Sequence, residues 1–468
     1  MIPVTAFRDR QVAVLGLART GLSAARALRA GGAEAIGWDD AEPARARAEA
    51  AGVTVRDLRR IDWSPIAALV ASPGIPLHRP APHPVVAAAR AAGRAVIGDI
   101  ELFAQALPRA RVVGITGTNG KSTTTALVGH ILGACGHRVA LGGNLGTPAL
   151  DLEPLPATGL YVLELSSFGI DLTRSLACEV AVLLNITPDH LDRHGDLAGY
   201  AASKRRLFAM QRPGQTAVVG VDDDAGRATV ADLEAAGRLR VVPVAVGRRV
   251  PRGVAVLDGV VRDAIDGADV VVADLAGHAA LIGAHNAQNA AAAVAAARAV
   301  GVAPGAIGAA LASFAGLAHR LETVATIDGV RFVNDSKATN AEAAARALAC
   351  FETIYWIAGG RAKAGGLAGT EPFWPRVRHA YLIGEAAADF ATALEGRVAA
   401  TRCADLASAL ARAACDAGRA GRAGAVVLLS PACASFDQFT DFEERGRAFR
   451  DAVQRLDRHG GCATETAA

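Results

Sequence analysis

An apolar run, Arg111-Val-Val-Gly-Ile-Thr116, leads without interruption into Gly117-Thr-Asn-Gly-Lys-Ser122 and then into a helix-forming stretch that begins at Thr123. This strand, glycine turn and helix constrain the fold more than any other feature of the 468 residues. A helix N-terminus presents unpaired N–H groups and the positive end of a dipole. Glycines let the backbone wrap a phosphate chain there. Gly117, Thr118, Asn119 and Gly120 would form the cradle, Lys121 would reach the terminal phosphates, and the Ser122 hydroxyl would sit on Mg²⁺. The strict pattern has a further glycine where Ile115 stands, so this is a shortened loop.

The same plan recurs along the chain. Short β-branched runs alternate with alanine-rich helical stretches, which predicts an α/β fold with mostly parallel sheets. Three stretches start afresh with strand, glycine turn and helix. Residues 1–105 read as a Rossmann-like N-terminal domain, 106–316 as a central P-loop-type ATPase domain, and 317–468 as a C-terminal Rossmann-like domain. Asp258-Gly259 between two valine runs predicts a type I′ hairpin. Asn286 to Val300 is rich in alanine, the best helix former, and Gly301 sits where a helix ends. The tail, Gly460–Ala468, is small and polar and expected to fray.

Composition removes several alternatives. The chain is 51% hydrophobic and 20% charged, so it can bury large cores. A formal net charge of +3 argues against a nucleic-acid partner. Seven cysteines without a CxxC pair fit a reducing compartment and no structural metal. No uncharged apolar run of membrane-spanning length occurs, and Met1 to Arg10 lacks an apolar signal core. The expectation is a cytoplasmic monomer without a membrane span. Of 49 basic residues only Lys121, Lys204, Lys337 and Lys363 are lysine, leaving 45 arginines. A lysine that survives such a bias marks a place where a compact, titratable amine is needed.

Glu164 ends an apolar strand, where an NTPase keeps its magnesium partner. His190, in Asn185-Ile-Thr-Pro-Asp-His190, ends another strand and is a candidate second metal ligand. His194 is expected at the surface. Lys204 sits in a helical stretch and is followed by two arginines, so the bias could have acted there and did not. Gly16-Leu-Ala-Arg-Thr-Gly21 resembles GxGxxG with alanine at its second glycine, and Asp39 and Asp40 stand about where a ribose-binding acid would. Alone, this motif would serve NAD or any diphosphate-bearing nucleotide. In the last third, His319-Arg320, Asn334-Asp-Ser-Lys-Ala-Thr-Asn340, Gly359-Gly-Arg-Ala-Lys363 and Ser430-Pro-Ala-Cys-Ala-Ser435 bring polar groups to strand ends. Cys433 reads as a buried filler.

In this order GTNGKST, GGNLG, LELSSF, NITPDHLDRH, GAHN, HR, NDSKATN, GGxxK and SPACASFDQF resemble the Mur ligases over nearly the whole chain, and the NDSKATN and SPACASFDQF segments favour the D-glutamate-adding members. The resemblance implies an ATP-dependent amide ligase in cytoplasmic peptidoglycan precursor synthesis. ATP would phosphorylate the carboxylate of UDP-N-acetylmuramoyl-L-alanine, and the amine of D-glutamate would attack the acyl phosphate.

It further implies that Asn119, Lys121 and Ser122 hold ATP, with Asn286, Arg320 and Asp335 around adenine, γ-phosphate and ribose. Glu164 and His190 would hold two Mg²⁺ ions, and Lys204 would carry a carbamate derived from CO₂. Arg19, Thr20, Gly21, Asn144 and Ser166 would contact the UDP-sugar. Lys337 would serve the acyl phosphate, and Thr339, Lys363, Ser435, Phe436 and Phe442 the D-glutamate end. The sequence departs from the family at Asp39-Asp40-Ala41-Glu42, where a Thr-Arg pair near uracil is common, and at Gly169-Ile-Asp171. Competing readings are a sibling or folylpolyglutamate synthetase-like ligase, a nicotinamide-dependent oxidoreductase built on Gly16–Gly21, and a non-catalytic nucleotide-binding regulator.

Overall fold

The computed structural model describes residues 1–144, 146–278, 280–421 and 424–458; the expected frayed tail lies outside them. The chain divides into two compact units, Met1–Ala276 with Asn286–Phe314, and Gly277–His285 with Ala315–Ala468.

The first unit contains two sheets. Strands β1 (Gln11–Leu15), β2 (Glu34–Trp38), β3 (Thr54–Val55), β4 (Ile66–Ala71) and β5 (Ala95–Ile97) form a sheet in the order β3-β2-β1-β4-β5. All its pairings are parallel, as in a nucleotide-binding Rossmann sheet. The second sheet comprises β6 (Arg111–Thr116), β7 (Val139–Gly143), β8 (Leu160–Glu164), β9 (Val180–Leu183), β10 (Thr216–Gly220), β11 (Arg240–Val246), β12 (Val254–Leu257), β13 (Val260–Asp263) and β14 (Val270–Asp274). Its order is β14-β13-β12-β11-β10-β9-β6-β8-β7. Only β12–β13 and β13–β14 pair antiparallel. The expected hairpin links β12 to β13, with φ +48° at Asp258 and +82° at Gly259, the two positive angles a type I′ turn needs.

The strands β9, β6 and β8 are neighbours and parallel. Their C-terminal ends therefore bring Asn185, the Gly117 loop and Glu164 to one edge. The helix Ala284–Ala299 is buried from Asn286 to Ala297. Alanine explains this: its small side chain lets a helix be covered on every face at no cost in side-chain entropy.

The second unit carries β15 (Glu322–Ile327), β16 (Val330–Asn334), β17 (Ile354–Gly359), β18 (Val377–Ile383), β19 (Ala400–Arg402) and β20 (Val426–Leu429), in the order β15-β16-β20-β17-β18-β19. Only the edge pair β15–β16 is antiparallel. The adjacent ends of β16, β20 and β17 release the turns beginning at Asp335, Ser430 and Gly360. Among the described residues no helix is long and apolar enough to cross a membrane.

Candidate active site

The glycine loop is built as its residues require. Gly117 and Gly120 have φ of +150° and +85°. A Cβ on Gly120 would lie 2.2 Å from the Asn289 side-chain oxygen, so no other residue fits. Asn185 holds the loop from beneath: its carbonyl accepts from Thr118 N at 2.9 Å and its Oδ1 from Asn119 N at 2.9 Å. Asn185 Nδ2 donates to Gln288, whose Nε2 donates to Asp222. Asn286 joins from the alanine helix, accepting from Asn289 Nδ2 at 3.1 Å, while Asn289 Oδ1 accepts from Thr124 Oγ1. The helix Lys121–Ala134 starts at the loop, with Ser122 and Thr123 buried in its first turn.

Both lysines of this unit turn toward the loop. Lys121 Nζ donates to the carbonyls of Gly117 and Thr118 at 2.9 and 2.8 Å. Lys204, on the helix Leu197–Ala209, is only 1% exposed. Its Nζ donates to Gly117 O at 2.8 Å and lies 4.5 Å from the Tyr200 ring centroid. Burial, and next the positive charge of Lys121, hold the Lys204 amine well below the usual lysine range, despite Asp189, Asp171 and Glu164. A lysine in this state has access to its neutral, nucleophilic form.

Glu164 is 3% exposed. Its Oε1 accepts from Asn144 Nδ2 at 3.0 Å, while its Oε2 is buried without a hydrogen-bond partner. An unpartnered buried carboxylate oxygen is costly unless a cation meets it, which fits a magnesium ligand. His190 has φ +53° and packs on Phe168, with ring centroids 4.8 Å apart. Partial burial holds its imidazole below the usual range, Lys121 and Lys204 add to this, and Asp189 opposes it. The neutral ring is the form that binds metals. Among the described residues no three His, Cys, Asp or Glu side chains gather as a cage. Magnesium suits such a sparse set, since it keeps waters and phosphate oxygens as its other ligands.

His194 is not at the surface, as the sequence suggested. Its side chain is 6% exposed, stacks on Phe168 at 5.4 Å and meets the Ser167 hydroxyl at 3.0 Å. Asp171 lies 3.7 Å from its Nδ1. The reason lies in the one-turn helix Leu191–His194, which turns the fourth residue back onto the turn after β8. Phe168 and Tyr200 carry no sequence motif that singles them out; the aromatic packing that reveals them is tertiary.

In the first sheet, Arg19, Thr20 and Gly21 open the helix Arg19–Ala30 directly after the glycine turn. Asp39 braces the turn: its Oδ2 accepts from Leu17 N at 2.6 Å and its Oδ1 from Ala41 N at 2.9 Å. Asp40 meets His83 Nε2 at 3.0 Å beside a cavity of about 410 Å³ that Trp38, Arg45 and Arg59 also line. Asn144 reaches Glu164, and Ser166 Oγ accepts from Gly169 N at the start of the short helix Ser167–Asp171.

The second unit gathers its own set. Asp335 is buried and accepts from Ser430 Oγ at 2.9 Å and Leu321 N at 3.2 Å. Burial pushes its carboxyl up to about 7, against the Ser430 hydrogen bond and the Arg320 charge. Lys337 Nζ lies 3.8 Å from the Phe442 ring centroid, and Thr339 N donates to Lys337 O. Ser435 is buried, Lys363 is exposed, and Phe436 is 64% exposed. Arg445, which belongs to no motif, binds two of the turns together. It donates to Ser336 Oγ, Ser336 O and Cys433 O at 3.0, 2.9 and 3.0 Å. Cys433 is buried and its thiol is pushed up to about 12 by burial, which suits a filler rather than a nucleophile.

Residues 115–297 match the Mur ligase middle domain, and residues 319–433 match the Mur ligase glutamate ligase domain. The chain is 53% identical over 462 residues to the UDP-N-acetylmuramoylalanine-D-glutamate ligase of Phenylobacterium zucineum, covering 97% of this chain and 98% of that one. It is 51% identical over 469 residues to the protein of the same name from Caulobacter vibrioides, covering 99% of each. Among solved structures, the UDP-N-acetylmuramate-alanine ligase of Thermotoga maritima matches with a TM-score of 0.58 at 16% identity, over 96% of this chain and 99% of that one, which is a likeness of fold. With relatives of this identity over nearly its full length, the chain belongs to the Mur ligase family.

Proposed function

We propose that the chain is the ATP-dependent ligase that joins D-glutamate to UDP-N-acetylmuramoyl-L-alanine in cytoplasmic peptidoglycan precursor synthesis. The observation that carries the reading is the convergence of Lys121 and Lys204 on one phosphate-type loop beside a buried, half-partnered Glu164. The activity for which the relatives are named supplies the acceptor and the amino acid. The reading includes three domains, 1–105, 106–316 and 317–468; the confinement of each sheet's strands to one of these segments supports it.

Phosphoryl transfer to a carboxylate brings anions together, so the site must supply cations. Lys121 leaves its two carbonyl partners for the phosphates of ATP, which are stronger acceptors. Asn119, Gly120, Ser122 and Thr123 line the loop and the helix end that receive them, and Asn286 braces that end through Asn289. Two magnesium ions, when bound, neutralise phosphate charge; Ser122, Glu164, His190 and a carbamate on Lys204 would hold them. The neutral amine of Lys204 attacks CO₂ and loses a proton, which makes an oxygen ligand from a nitrogen.

We assign Arg320, Asp335 and Lys337 to the nucleotide and the acyl phosphate. Thr339, Lys363, Ser435, Phe436 and Phe442 orient D-glutamate. Its amine attacks the acyl carbon, and the tetrahedral intermediate expels phosphate. Arg19, Thr20, Gly21, Asn144 and Ser166 position the UDP-sugar.

A phosphate-release assay with ATP, UDP-N-acetylmuramoyl-L-alanine and single amino acids tests this. Release is expected with D-glutamate. Release with L-alanine or a diamino acid, and none with D-glutamate, would overturn it.

A further inference from the structure

We infer that Arg193 is a positioning residue that locks the His190 segment onto the loop bracing the Gly16–Gly21 turn. The inference rests on the reading above only in assigning His190 and that turn to one reaction. Arg193 sits on the one-turn helix Leu191–His194, three residues past His190. Its Nη1 donates to Gly74 O at 2.9 Å and its Nη2 to Ile75 O at 2.7 Å. Its guanidinium carbon lies 4.7 Å from the Phe168 ring centroid. One planar fork thus makes two parallel hydrogen bonds and a stacking contact together, which a lysine cannot do.

Both ends of this contact lead to a proposed substrate site. Gly74 and Ile75 follow Ser72, whose Oγ donates to Gly16 O at 2.9 Å and whose N donates to Leu15 O. The fit there is close: a Cβ on Gly16 or on Gly21 would lie 2.9 Å from the Ser72 hydroxyl oxygen. At the other end, the Phe168 ring that Arg193 covers also packs on His190. A continuous set of contacts therefore runs from Gly16 through Ser72, Gly74, Ile75, Arg193 and Phe168 to His190.

The segment needs such an anchor. His190 is in the left-handed region, which a non-glycine residue holds only when its surroundings impose it. A single helical turn is not stable by itself. The turn's own backbone bonds are Arg193 N to His190 O, His194 N to His190 O, and Gly195 N to Leu191 O. Leu191 and Asp192 face solvent and add little burial. His194 seats the far end of the turn on Phe168 and Ser167; Arg193 adds the tie to Gly74 and Ile75, and without it His190 would keep its chemistry and shift its place.

The test compares wild type with Arg193→Ala and Arg193→Lys in the full chain. Rates are measured as phosphate release with whichever amino acid the wild type accepts, so failure of the D-glutamate assignment leaves this test readable. For Arg193→Ala, kcat is expected to fall about 10- to 100-fold, the range for a misplaced catalytic group. KM for UDP-N-acetylmuramoyl-L-alanine should move by less than about threefold, since ground-state contacts are kept. Arg193→Lys, keeping one bond, should fall between, and it serves alone if the alanine variant does not fold. In the free enzyme, hydrogen exchange at His194 and Gly195 should speed up about tenfold or more, while Thr124 stays protected. An unchanged kcat, or a fall in kcat without faster exchange at His194 and Gly195, overturns the inference.

Discussion

Lys121 and Lys204 share one acceptor: both ammonium groups donate to the carbonyl of Gly117, at 2.9 and 2.8 Å. Two like charges beside one oxygen are held there by the loop, and the charge of Lys121 disfavours the protonated form of Lys204. The buried Lys204 yields. A carbamate on Lys204 reverses the sign of the pair, so that Lys121 stabilises what it formerly repelled. Lys204→Arg is therefore expected to fold and to lose activity by about 100-fold or more, because a guanidinium stays protonated and cannot be carbamylated. Lys204→Ala should recover part of its rate with added formate or acetate. Carbamate carbon in ¹³CO₂-labelled protein, read by NMR, should fall in Lys121→Ala. Normal turnover by Lys204→Arg would remove the carbamate from the mechanism.

Glu164 offers a second test. Its Oε2 lacks a partner while its Oε1 is engaged by Asn144. Glu164→Gln keeps the shape and removes the charge. Magnesium affinity, measured by titrating turnover with metal, should weaken about 10- to 100-fold. The melting temperature of the metal-free protein should stay level or rise, since a buried charge without a partner has gone.

Arg445 is expected to matter for the shape of the second unit. Replacing it with Leu leaves Ser336 O and Cys433 O without their donor. Each buried acceptor left unsatisfied costs about 1–3 kcal/mol. Thermal denaturation should show Arg445→Leu clearly destabilised, and Arg445→Lys in between, as an ammonium supplies fewer and differently aimed donors.

The contribution of two buried carboxyls to stability should fall as pH rises from about 4 toward 7. Burial raises Asp99 to about 6 and Asp335 to about 7, from a value of 3.8. Between those limits each of these two carboxyls holds its proton in the folded protein and not in the unfolded chain, so their contribution to stability is fully present below about pH 4 and declines as pH rises toward 7. Asp99 Oδ1 is buried without a partner. Asp99→Asn should therefore gain on the order of 3 kcal/mol over wild type at pH 8 and almost nothing at pH 3. Melting curves of both proteins at the two pH values check this.

The local motifs were legible because backbone rules write them directly. Gly120 must be glycine, Asp258-Gly259 must turn, and Glu164 and Asn185 sit at strand ends that any parallel sheet brings together. The scarcity of lysine drew attention to Lys204, which the fold buries. What was not legible is set by tertiary contact. Strands such as Thr216–Gly220 and Arg240–Val246 have no period of their own and become strands by joining a sheet already formed. His194 could not be placed from sequence, because its burial depends on Phe168 from a different strand end. The two backbone bonds by which Asp39 braces the turn are likewise tertiary and carry no sequence signature.

The central claim is an acyl phosphate made from the acceptor carboxylate and captured by D-glutamate. It is tested most directly by isotope transfer. UDP-N-acetylmuramoyl-L-alanine carrying ¹⁸O in its alanyl carboxylate is incubated with ATP and D-glutamate, and the released phosphate is examined by mass spectrometry. One ¹⁸O per phosphate is the expected result, matched by an equal amount of the D-glutamyl amide. Unlabelled phosphate, or labelled phosphate formed with another amino acid and not with D-glutamate, would contradict it.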